Sequence, residues 1–134
     1  MKKYRHVTFG FVSLLLVVIF FGCAKLQPQI MVEQGQGNER KIDMQVDSFV
    51  FTPNNIKTVQ GNIITFNITN VSGKEHNFTI TDRQGRIMQS VNLPAKKTVP
   101  VAVTLSEAGV YAFYCNKPFH TSLGMKGRIE AEAH

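Results

Sequence analysis

The chain has 134 residues, 43% of them hydrophobic, with two cysteines and a formal charge of +6. That length accommodates one domain with its own core. Half of the excess charge is Lys2, Lys3 and Arg5, and the other basic residues are scattered rather than interleaved with aromatics, which argues against nucleic-acid binding.

The first feature along the chain is a basic start, Met1 to Arg5, followed by an apolar run from Val7 to Phe21. Crossing a bilayer takes about 20 apolar residues, so this run suits the hydrophobic stretch of a signal peptide better. It closes on Phe20-Phe21-Gly22-Cys23, which resembles the cleavage box of bacterial lipoproteins. Residues 1–22 are therefore expected to be a signal peptide, and Cys23 to carry lipid and hold the protein on a bacterial membrane. Each buried CH₂ of an acyl chain contributes about 0.8 kcal/mol, and more than one chain anchors stably. The alternative is an uncleaved N-terminal anchor helix. In both cases the rest of the chain lies outside the cytoplasmic membrane, in the periplasm or on the outer face of the envelope. Residues 23–40 are rich in Gln, Gly, Asn and Glu with little periodicity, and read as a flexible tether.

Residues 41–134 read as the domain. Lys41 to Val46 alternates weakly and is a first strand. Phe49-Val50-Phe51 is apolar, Pro53-Asn54-Asn55 is a turn, and Ile56 to Val59 is a short strand. Ile64, Phe66 and Ile68 alternate with polar neighbours in a half-buried strand. Asn70 to Glu75 is a loop, and His76, Phe78 and Ile80 share one face of the next strand. A turn at Asp82-Arg83-Gln84-Gly85 precedes a stretch, Arg86 to Asn92, expected to be largely irregular with one strand. Val99, Val101, Val103 and Leu105 alternate, and Pro100 among them marks an edge strand or a solvent-facing position. Ser106 to Gly109 turns into a strand carrying Tyr111, Phe113 and Cys115, with Phe113 and Tyr114 expected in the core. Lys126 to Ala131 closes the domain. No stretch has a helical period, so the pattern predicts an all-β fold of seven or eight short strands in a two-sheet β-sandwich. Three Asn-x-Ser/Thr matches, at Asn67, Asn70 and Asn77, read as chance.

The chemistry lies between Gly109 and Gly127. Cys115, His120 and Met125 bring a thiol, an imidazole and a thioether into eleven residues. Soft and borderline donors of this kind select copper over hard cations. A disulfide between Cys23 and Cys115 is the generic alternative in an exported protein, but each cysteine has a separate explanation. His76 is the best fourth donor, because the period of its strand turns it toward the same core as Cys115. Two His, one Cys and a weak axial Met make the trigonal site of blue-copper electron transfer.

These residues resemble the copper loop of the cupredoxins, the family of plastocyanin, azurin, halocyanin and rusticyanin. The matched features are His76-Asn77 upstream and Tyr111-x-Phe113-Tyr114-Cys115, His120 and Met125-x-Gly127 downstream. The resemblance spans roughly Ile42 to Ala131, and its four-residue gap from Cys115 to His120 is closer to rusticyanin-like members. It implies a Greek-key sandwich holding one copper that cycles between Cu(I) and Cu(II). It also implies that Asn77 braces the cysteine loop. The edge of His120 would serve as the electron port inside an apolar collar of Pro118, Phe119 and Leu123, where redox partner proteins would dock.

The function expected is a membrane-tethered, monomeric carrier of single electrons, without catalytic residues. The alternative is a copper-delivery or storage protein supplying a respiratory oxidase or another cuproenzyme. A binuclear copper centre would need two cysteines in the loop. A metal-free adhesion sandwich would leave the donor spacing unexplained.

Overall fold

Period-two alternation becomes strands throughout the computed structural model, which describes residues 27–32 and 37–134. The expected signal peptide and the lipid site at Cys23 lie outside the described residues. Ten strands occur among those described: β1 (Ile30–Met31), β2 (Glu39–Asp47), β3 (Val50–Thr52), β4 (Asn55–Val59) and β5 (Ile63–Asn70), then β6 (His76–Thr81), β7 (Ile87–Leu93), β8 (Thr98–Thr104), β9 (Gly109–Tyr114) and β10 (Lys126–Glu132). They form a six-stranded sheet in the order β1-β4-β10-β9-β6-β7 and a four-stranded sheet in the order β3-β2-β5-β8. The all-β, two-sheet sandwich expected from the pattern, with the Greek-key arrangement implied by the resemblance, is the fold observed, built of ten described strands rather than seven or eight.

The two inner faces build one core. β2 turns Ile42, Met44 and Val46 inward and β5 turns Ile64, Phe66 and Ile68 inward, each set alternating with more exposed neighbours. Phe78, Phe113 and Ile129 face them from the other sheet. Phe113 lies 5.3 Å from Phe78 and 5.4 Å from Phe51, ring centre to ring centre, in tilted and edge-on contacts. Tyr111 closes the turn before β9, its hydroxyl donating to the Glu107 carbonyl at 2.9 Å and accepting from the Glu107 amide at 3.2 Å.

The structure departs from the sequence pattern in four places. The docked chain begins before residue 40: β1 pairs in parallel with β4, and the Gln27 amide donates to Asn54 Oδ1 at 3.0 Å. Polar backbone pairing holds this segment, and hydrophobic periodicity does not report that. The stretch expected to be largely irregular is the strand β7, paired with β6 from Ile87 to Leu93 with one register shift between Ile80 and Thr81. β6 is buried on both faces rather than one. Tyr114 is only half-buried, on the opposite face from Phe113, as strand alternation requires. Pro100 sits on β8, an edge strand, and is exposed, as its missing N–H demands.

Candidate metal centre

His76 opens β6, and the loop before it is set by a buried amide. Asn70 Nδ2 donates to the carbonyls of Lys74 and Leu93, both at 2.8 Å. Its Oδ1 accepts from the Ser72 amide at 3.0 Å and the Ser72 hydroxyl at 2.8 Å. Leu93 is the β7 residue opposite His76, so Asn70 ties the loop to the strand that aligns the imidazole. Burial of Asn70 and Asn77 agrees with reading their acceptor motifs as chance.

Cys115 follows the last residue of β9, and the loop returning to β10 closes on itself through backbone bonds. The Cys115 amide donates to the Met125 carbonyl at 3.1 Å, and the Met125 amide donates to the His120 carbonyl at 3.0 Å. Thr121 Oγ1 donates to the Cys115 carbonyl at 2.7 Å. The three sequence-predicted loop donors are thus tied to one another through the backbone. Phe119 takes a positive φ of 66° inside this loop while its side chain is 80% exposed. A bulky residue in the left-handed region is held there by the surrounding turn, which bonds Leu123 N to Phe119 O.

The side chains converge. His76 Nδ1 lies 3.2 Å from His120 Nδ1, and Cys115 Sγ lies 3.3 Å from the same nitrogen. One donor atom from each of the three falls within 4.8 Å of the others. His76, Cys115 and Met125 are buried, and His120 is half-buried. Burial pushes the His76 imidazole below the ordinary histidine pKa, and neighbouring His120 adds to that. The imidazole is therefore favoured in its neutral form, the form that binds metal. Two imidazoles and a cysteine sulfur fit copper by softness, and no carboxylate is grouped with them among the described residues.

Two neighbours of the site differ from expectation. Asn77 does not reach the cysteine loop with its side chain. Its Nδ2 donates to Ser90 Oγ at 3.2 Å, and its Oδ1 accepts from Thr79 Oγ1 at 2.5 Å. The cause is strand period: His76 faces the core, so Asn77 faces the other side of the sheet. Bracing of the loop comes from Thr121 and from the Met125 backbone instead. Sequence reasoning also missed Phe49, whose ring packs edge-on against His120 with centroids 4.9 Å apart. It sits in the β2–β3 turn, far from the motif in sequence, and only its apolar character signalled it. Pro118, Phe119 and Leu123 are exposed. Lys117 and Glu75 pair at 2.6 Å across the two loops that carry the donors.

Comparisons with known proteins follow the same lines. The sequence matches the family described as "Cupredoxin-like domain" over residues 12–129. No curated protein matches it. Among solved structures, auracyanin from Roseiflexus castenholzii is 21% identical, with a TM-score of 0.60 over 72% of this chain and 98% of that one. Auracyanin A from Chloroflexus aurantiacus, described as a "blue" copper protein, is 18% identical, with a TM-score of 0.61 over 70% and 99%. Reduced rusticyanin is 18% identical, with a TM-score of 0.62 over 78% and 84%.

Proposed function

The chain belongs to the family of cupredoxin-like domains, and on that premise we propose that it is a membrane-tethered, type 1 copper protein that carries single electrons between redox partners outside the cytoplasmic membrane. The observation that carries this reading is the convergence of His76, Cys115 and His120 donor atoms within 4.8 Å of one another. Met125, buried and bonded through its backbone to both Cys115 and His120, would supply a weak thioether donor.

When bound, copper supplies a one-electron couple between Cu(I) and Cu(II). The protein's part is to keep the donors still. A loop tied by its own backbone bonds would hold the same donors in place for both oxidation states. Phe49 packs on His120 and the phenylalanine core buries the other donors; this hydrophobic shell and the Met125 thioether would tune the potential of the bound copper. The exposed collar of Pro118, Phe119 and Leu123 leaves the edge of His120 near the surface, where a redox partner docks. Anchoring through Cys23 rests on the cleavage-box resemblance of Phe20 to Cys23.

A redox titration of the copper-loaded protein tests this. It should take up and release one electron reversibly, and Cys115→Ser should abolish the thiolate-to-copper colour. A protein that binds copper but passes it to an acceptor without redox cycling would contradict electron carriage.

A further inference from the structure

The direction of β1 fixes how the domain leaves its anchor. β1 and β4 are parallel, with Ile30 opposite Ile56 and Met31 opposite Lys57. β4 in turn is parallel to β10, which starts at Lys126 just after Met125 and runs away from the metal loop. β1 therefore also runs away from the metal loop, and its N-terminal side points back toward it. Side-chain and backbone bonds pin the beginning of the described chain at this end. The Gln27 amide donates to Asn54 Oδ1 at 3.0 Å, Gln27 Nε2 to Thr52 Oγ1 at 3.2 Å, and Asn55 Nδ2 to the Gln27 carbonyl at 3.2 Å. Thr52 ends the strand that follows Phe49, the residue packed on His120. Asn54 accepts the Arg128 amide three residues past Met125.

We infer that the domain is held with its metal end toward the surface of the membrane that anchors it. This rests on the anchor at Cys23 and is independent of which metal the site holds. Four peptide units separate Cys23 from Gln27, a reach of at most about 14 Å. The nine residues of β2, which span the sandwich, measure about 30 Å end to end. With Gln27 docked, the short leash does not let the domain stand on its opposite end, at Gly61 and Gln84. The rim of Phe119, Leu123 and Phe49 faces the headgroups instead, within reach of redox partners embedded in that bilayer rather than free in solution.

The test uses the full lipidated chain in nanodiscs whose headgroups carry a gadolinium chelate. Amide broadening is read by NMR in the copper-free and copper(I) forms, both diamagnetic. Broadening at Ser48, Phe49, Phe119 and Leu123 should exceed that at Gly61, Gln84 and Ser106 several-fold. Inserting twenty Gly and Ser residues between Ala24 and Lys25 should flatten the difference. Uniform broadening, stronger broadening at Gly61 and Gln84, a difference that survives the insertion, or a chain that does not stay on the disc would each overturn the inference. Failure of the copper reading would leave the broadening pattern unchanged, so the two failures are distinguishable.

Discussion

Single residues at the site carry separable tasks. Gly127 allows β10 to pass under Phe113: a Cβ there would lie 2.3 Å from Phe113 Cζ and 2.5 Å from the Asn54 carbonyl oxygen. Backbone on one side leaves nothing to yield, so Gly127→Ala should cost about 1–3 kcal/mol through overpacking. The urea midpoint of the variant checks this, and an unchanged midpoint would refute it. His76 gives a pH dependence in the copper-free protein. Burial, followed by the nearby His120, lowers its folded pKa below the unfolded value of about 6.5. Its contribution is fully present above that unfolded value and is lost as pH falls toward and through the lower folded one. Denaturation midpoints measured between pH 8 and 5 should therefore fall more steeply for the native chain than for His76→Gln. Cys115, His120 and Met125 were legible in the sequence because a short loop brings all three together. His76 was legible only through strand period, and Phe49 scarcely at all, since it reaches His120 from another sheet.

At the scale of elements, the loop from Asn70 to Glu75 decides where β6 begins and so where His76 points. Asn70→Ala would remove the donor to the Lys74 and Leu93 carbonyls and the acceptor for Ser72, in a fully buried position. A loss of about 1–3 kcal/mol follows from stranding such groups. The Lys117–Glu75 pair links the same loop to the copper loop, yet both side chains are substantially exposed. Glu75→Gln should thus change stability by less than about 1 kcal/mol. Equal losses in the two variants, compared by thermal denaturation, would contradict this ranking. Strand positions with apolar alternation, such as Ile64, Phe66 and Ile68, were readable in advance. β1 and β7 were not, because backbone pairing with a neighbour, rather than an alternating side-chain pattern, makes them strands. Asn77 shows the cost of carrying a role over by resemblance: alternation had already placed it on the face away from the core.

At the scale of the whole molecule, one six-stranded sheet positions the donors, since His76 comes from β6 and the rest from the β9–β10 connection, while Phe49 packs on His120 from the β2–β3 turn of the other sheet. Removing copper should leave the strand content seen by far-ultraviolet circular dichroism unchanged. It should also lower the melting temperature, because a ligand at 100 times its Kd adds about 2.7 kcal/mol to the folded state. Loss of strand signal on copper removal would mean the site forms only with its metal. The all-β sandwich was legible as a class, while the pairing order, with β1 on one edge and β7 on the other, required the coordinates. The most direct test is the visible and electron-spin-resonance spectrum of the copper-loaded domain. An intense thiolate-to-copper band with narrow copper hyperfine splitting, both lost in Cys115→Ser, is the result expected of one ion held by His76, Cys115, His120 and Met125. A weak, tetragonal copper spectrum that Cys115→Ser leaves unaltered would contradict it.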